Sequence, residues 1–156
     1  EIVRKKGLAA AILRTVLVYG MAEDMSRSNI ALWAKGGLSK GQQINVVDDQ
    51  FRSPTLAEDL ADGCILAAKQ KAKGVYNISG RDQLSILEIV HQVADFWGLD
   101  KSLIIPVNSS TLNQPAKRPS KTGFILDKAI RELGYKPHSF REGLAVLDEQ
   151  MKNSID

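Results

Sequence analysis

The sequence predicts an α/β fold with a mostly parallel sheet. Three observations carry this. Short apolar, β-branched runs alternate with helix-period patterns along the chain, the order that builds a sheet flanked by helices. Three of the helical patterns open on Ser/Thr-x-x-Glu, in which side chains satisfy the amides a helix start leaves unpaired. The first run, Ala9 to Tyr19, is apolar almost throughout, as suits a strand covered on both faces.

Taken in order, Glu1 to Gly7 reads as the last turns of a helix, with lysines and a glycine at its end, so the chain is expected to open in mid-element, as a piece of a longer protein would. Ala9 to Tyr19 is the first strand, interrupted by Arg14-Thr15 and closed by Gly20. Ser26 to Lys35 is predicted helical, with Ile30, Trp33 and Ala34 inward and Gly36-Gly37 as the stop. Ile44 to Val47 is a short strand, and Asp48-Asp49 turns the chain into Phe51-Arg52. Thr55-x-x-Glu58 opens a helix with Leu56, Leu60, Cys64, Ala67 and Ala68 inward. Gly74 to Gly80 is a glycine-bounded strand. Ser85-x-x-Glu88 opens a helix ending at Gly98, with Ile86, Ile89, Val90, Val93 and Trp97 inward. Leu103 to Val107 is another strand. Leu126-Asp127-Lys128 begins a short helix closing on Leu133-Gly134-Tyr135-Lys136-Pro137. Ser139-x-x-Glu142 opens the last helix, with Phe140, Leu144, Leu147 and Met151 on one side.

The 156 residues suit one domain. The net charge is +3 and the basic residues are scattered, without the stripe of a nucleic-acid protein. The lone Cys64 excludes an internal disulfide and fits a reducing cytoplasm. No apolar run approaches the roughly 20 residues that span a bilayer. Gly36 to Gly41 is no phosphate loop, because Gln42 stands where its lysine belongs and a helix precedes it. Neither His91 nor His138 has a second histidine or cysteine at metal spacing, so no metal is expected. There is no G-x-G-x-x-G fingerprint. The residues four after Tyr19, Tyr76 and Tyr135 are Glu23, Gly80 and Ser139, so no Tyr-x-x-x-Lys is present and no catalytic residue is expected in the chain.

Arg52 and Arg118 differ from the scattered lysines. Each stands beside a proline-containing extended segment near the sheet's carboxyl edge, where open α/β folds bind ligands. A guanidinium grips phosphate through two parallel hydrogen bonds. The alternative is that each pairs with a nearby acid, Asp49 or Asp127, and the residues alone leave both readings open.

From about Leu8 to about Leu147 the sequence resembles the C-terminal part of dTDP-4-dehydrorhamnose reductases. The resemblance rests on Ile12 to Gly20, Val47-Asp48-Asp49-Gln50, Ser53-Pro54-Thr55 with Asp59-Leu60-Ala61, Gly74 to Gly80, and Lys117-Arg118-Pro119 with Leu126-Asp127. It implies the C-terminal portion of a Rossmann-like extended short-chain dehydrogenase, residues 1–156 forming one substrate-binding portion without the N-terminal dinucleotide-binding half. NADP or NAD would be held mainly by that other half, where the proton and hydride chemistry would lie. Thr15 and Val16 become cofactor-edge candidates. Tyr19, Asn29, Arg52 and Arg118 become candidates for a nucleoside-diphosphate sugar. Arg52 departs from the rhamnose branch, where a smaller residue is expected, which keeps a sugar-nucleotide epimerase or dehydratase open. A non-catalytic relative on the same fold, the regulatory subunit of methionine adenosyltransferase, is the other alternative. An unpaired apolar edge on the first strand would favour self-association, a homodimer included.

Overall fold

The computed structural model describes residues 9–21, 29–111 and 118–153. The helix end expected at Glu1 to Gly7 and the helix start expected at Ser26 lie outside the described residues. The order is β1 (Ala11–Arg14), β2 (Val18–Tyr19), α1 (Ile30–Ser39), β3 (Ile44–Val47), β4 (Phe51–Arg52), β5 (Thr55–Leu56), α2 (Ala57–Lys69), β6 (Gly74–Asn77), β7 (Leu84–Ser85), α3 (Ile86–Trp97), β8 (Ile104–Val107), α4 (Asp127–Leu133) and α5 (Phe140–Asn153). Among the described residues the strands pair two by two. β1–β6, β2–β5 and β3–β8 are parallel, while β4–β7 is antiparallel. The class is the expected one: mostly parallel strands with helices.

The expected single strand Ala9 to Tyr19 is two strands. Between them Leu17 takes a left-handed backbone, φ 44°, which costs a non-glycine residue roughly 1–2 kcal/mol. Two bonds hold the kink: Thr55 N–H donates to the Leu17 carbonyl at 3.0 Å, and Thr55 Oγ1 donates to the Val16 carbonyl at 2.7 Å. The kink passes the chain from β6 to β5, so β1 and β2 serve different partners. Nor are both faces covered, since Arg14 and Val18 are exposed.

Thr55 therefore does not cap a helix. It lies in β5, and α2 starts at Ala57, with Leu56 as its N-cap residue and no side-chain cap. The other two boxes form. Ser85 Oγ accepts from Glu88 N–H at 3.1 Å while the Glu88 carboxylate accepts from Ser85 N–H at 2.6 Å; Ser139 and Glu142 repeat this. Helix α1 runs through Gly36-Gly37 to Ser39 instead of stopping there. A Cβ on Gly37 would lie 3.1 Å from Ile44 Cγ2, so that glycine admits β3 rather than ending the helix. The inward residues become Ala31, Ala34 and Leu38, with Trp33 at the surface. Gly36 to Ser39 is thus the last turn of a helix rather than a surface turn.

Two cores result. The larger joins α1, β3, α3, β8 and α5 around Ile89, Val90, Val93, Leu144 and Leu147. The smaller packs α2, β6 and α4 around Tyr76, Ile78, Leu133 and Tyr135. Helix α2 buries Asp59, Gly63 and Ala67, which turns Cys64, expected inside, out to the surface. It borders an open hollow of about 570 Å³ with Ala11, Leu13 and Ala67. The buried Asp59 is matched by His138, whose backbone N–H and ring Nδ1 both meet its carboxylate, at 2.9 and 2.6 Å.

Candidate functional site

A narrow three-stranded ribbon carries the site. β4 is its centre. On one side it pairs with β7, Phe51 opposite Ser85 and Arg52 opposite Leu84. On the other, Phe51 bridges to Lys121 in parallel, Phe51 N–H donating to Ser120 and Thr122 N–H to Phe51 at 2.7 and 3.0 Å. A two-residue strand held on both edges is a rigid mount, and it joins the segment from Arg118 to the N-terminus of α3.

Arg52 lies within this ribbon, 9 % exposed. Its guanidinium donates to the carbonyls of Phe51 and Ser120 at 2.6 and 3.2 Å and to Gln50 Oε1 at 2.9 Å. All three acceptors are neutral. Asp49, the expected partner, is turned elsewhere: Ser109 donates to it through N–H at 3.1 Å and Oγ at 2.6 Å, holding its carboxyl below the usual range. Burial lowers the Arg52 pKa from the ordinary arginine value, and the charge of Arg118 lowers it further. Both effects disfavour the cation, yet a guanidinium keeps its proton in proteins. Among the described residues no carboxylate pairs with Arg52.

Arg118 is exposed. It stands two residues before Ser120, whose carbonyl receives the Arg52 bond, and its charge acts on Arg52. It makes no ion pair with Asp127 among the described residues. Two like charges thus converge at one end of the ribbon, and a buried cation without a counter-charge is unfavourable unless an anion comes to it.

The other expected site residues lie along β1 and β2 and beside their ends. Thr15 is exposed, its Oγ1 3.5 Å from Thr55 Oγ1, and Val16 is half-buried with its carbonyl taken by Thr55. Asn29 caps α1, its Oδ1 accepting from Leu32 N–H at 3.2 Å and its Nδ2 donating to the Gly20 carbonyl at 2.8 Å. Tyr19 corrects the expectation. Its ring is buried edge-on against Phe140 at 5.1 Å, and its hydroxyl faces the Phe140 carbonyl at 3.5 Å, so it packs the core rather than a ligand. Gln50, 6 % exposed, was not singled out from the sequence. Its signals in the sequence are its place in the Val47-Asp48-Asp49-Gln50 piece of the resemblance and a neutral amide that follows two acids.

Among the described residues no group of three or more His, Cys, Asp or Glu could hold a metal, and no helix is long and apolar enough to cross a membrane.

The fold, mostly parallel strands with helices and one short antiparallel pair, is that of the C-terminal part of extended short-chain dehydrogenases. The chain belongs to the family described as the RmlD substrate binding domain, which matches residues 1–153. It is similar to the spore coat polysaccharide biosynthesis protein SpsK of Bacillus subtilis (strain 168), 26% identical over 156 residues, covering 100% of this chain and 53% of that protein. It is also similar to methionine adenosyltransferase 2 subunit beta of Xenopus laevis, 30% identical over 103 residues, 63% of this chain and 31% of that one. Among solved structures, the dTDP-4-dehydrorhamnose reductase of Bacillus anthracis str. Ames in complex with NADP superposes with a TM-score of 0.79 at 23% identity, covering 90% of this chain and 48% of that one. DesIV, a dTDP-glucose 4,6-dehydratase from Streptomyces venezuelae with NAD and TYD bound, gives 0.75 at 23% identity, covering 97% and 46%. The chain spans about half the length, or less, of the curated relatives it matches.

Proposed function

We propose that this chain is the substrate-binding portion of an NAD(P)H-dependent reductase acting on a nucleoside-diphosphate 4-keto sugar, and that Arg52 and Arg118 clamp the diphosphate. The observation that carries this is the buried, carboxylate-free guanidinium of Arg52 beside a second arginine. The chain's own residues supply binding. Arg52 is held from behind by Gln50 and two carbonyls, so its remaining donors are oriented before a ligand arrives. Arg118, exposed beside it, meets the outer phosphate. A diphosphate replaces the repulsion between the two cations with charge-assisted bonds.

For the cofactor the residues present fit only a side wall. Thr15 and Val16 offer an exposed hydroxyl and a short apolar edge at the β1–β2 kink, without the glycine turn that cradles a pyrophosphate. NADP or NAD would supply the hydride from a site held mainly by other parts of the protein. A cytoplasmic enzyme fits the exposed, unpaired Cys64.

In the intact protein, Arg118→Ala should weaken dTDP-glucose binding by roughly 1.5–3 kcal/mol, and Arg118→Lys should recover little because the planar fork is lost. Unchanged affinity in both variants would refute the clamp. A second reading is supported by the 30% identity to a methionine adenosyltransferase subunit: a regulatory protein that uses the same fold to bind a partner enzyme. NADPH oxidation by the intact protein with a dTDP-4-keto sugar separates the two, since a regulatory subunit would show none.

A further inference from the structure

We propose that Gln50 is a specificity-determining positioning residue, which fixes the Arg52 guanidinium for a diphosphate while leaving its charge uncancelled. The inference rests on the nucleotide-sugar reading of the ribbon and deepens it. Gln50 is itself pinned. Its backbone carbonyl accepts from Ile86 N–H at 2.9 Å, tying it to the first residue of α3, and its side chain is buried with Oε1 on Arg52 at 2.9 Å. The amide therefore sets the rotation of the guanidinium about the β4 backbone. Among the described residues three of the five guanidinium N–H groups are engaged, by Gln50, Phe51 and Ser120, and two are not.

What distinguishes the position is the charge it lacks. A glutamate would fit with nearly the same shape and would form a buried ion pair. That pair would relieve the uncompensated cation, whereas a buried charge left without a partner is costly. The neighbouring acid is kept out of the role as well, because both oxygens of Asp49 are occupied by Ser109. Two separate features thus keep negative charge off Arg52. The ligand must then bring that charge itself, and with Arg118 adjacent it must bring more than one. A diphosphate does; a neutral sugar or a nucleoside does not.

The test is calorimetric titration of the intact protein with dTDP, with thymidine as the uncharged control, alongside thermal melting. Gln50→Glu should weaken dTDP binding by roughly 30-fold or more, as placing like charge against an anion costs several kcal/mol, with a melting temperature equal to or above that of Gln50→Met. Gln50→Met, which removes the acceptor but adds no charge, should weaken it only by roughly 3–5-fold, as a neutral hydrogen bond contributes about 1 kcal/mol. Thymidine binding should be the same in all three proteins. Equal losses in the two variants, or an unchanged affinity in Gln50→Glu, would overturn the proposal. So would a Gln50→Glu protein that melts below Gln50→Met, since the carboxylate would then not be pairing with Arg52. If the wild-type protein binds no dTDP, the underlying site reading falls and this inference with it; if wild type binds and only the Gln50 pattern fails, the site reading stands alone.

Discussion

Gly143→Ala should destabilise the protein although alanine is the better helix former. Gly143 lies within α5, where the exchange alone would gain about 1 kcal/mol. The structure opposes it. A Cβ there would stand 1.9 Å from the Tyr19 hydroxyl oxygen and 3.0 Å from Cζ. Tyr19 is 2 % exposed and locked edge-on to Phe140, so its ring has nowhere to swing without repacking. Forcing a methyl into such a site costs roughly 1–3 kcal/mol or more, and the net result should be a loss of about 1–2 kcal/mol. Tyr19→Phe tests the cause. Alone it gives up a long 3.5 Å bond to the Phe140 carbonyl and should cost about 0.5–1 kcal/mol. In the Gly143→Ala background it should instead stabilise, because it removes the atom in conflict, leaving a coupling energy of about 1–2 kcal/mol between the sites. Urea unfolding of the four proteins measures the cycle. Additive effects, or a Gly143→Ala protein at least as stable as wild type, would refute the packing argument. They would also reopen a ligand-facing position for Tyr19, since a ring swung out of the core would leave room for the methyl.

Two further outcomes are expected. Ser109 holds the Asp49 carboxyl below its usual range by hydrogen bonding, chiefly through its side chain, so Asp49 contributes stability that is present above about pH 4, its unfolded value, and is lost as pH falls through the lower folded value; Ser109→Ala should move the acid limb of a circular-dichroism pH titration to higher pH, and superimposable curves would refute the latch. Among the described residues β1 pairs along one edge only, with β6, and borders an open apolar hollow, so the isolated chain should self-associate, to a homodimer at least; a concentration-independent monomer in sedimentation velocity would count against it.

What the sequence discloses depends on how far apart the deciding residues are. The box at Ser85 and Glu88 is closed within four residues and reads correctly, as does the one at Ser139 and Glu142. Thr55 has the same pattern and fails, because its hydroxyl is claimed by the Val16 carbonyl 39 residues earlier, a competitor no local motif announces. Helix α1 overruns Gly36-Gly37 for a similar reason. Glycine signals a stop when it ends packing, but Gly37 makes packing by letting Ile44 approach. Cys64 was assigned inward from an apolar stripe of alanines and leucines, a stripe wide enough to rotate; the buried Asp59, paired with His138, fixes the rotation the other way.

The arginines show the same limit and what lies past it. Both were legible as candidates, since each sits where an extended segment meets the sheet edge. Which of them is buried was not. That depends on β4 finding β7 more than thirty residues on and the Ser120 segment almost seventy residues on, pairings set by topology rather than by the local Arg-Pro context. Once the ribbon forms, the two positions acquire different duties. Arg52 is buried and meets no carboxylate among the described residues; Arg118 is exposed on the neighbouring Ser120 segment and adds to the field. An arginine placed only for stability would be expected to sit against a carboxylate, and two were in sequence reach, Asp49 and Asp127. Asp49 is instead spent on Ser109, and Asp127 begins α4 without meeting Arg118. On the diphosphate reading, the placement of the acids counts as much as that of the arginines, because it leaves the charge at this end of the ribbon for a ligand to answer.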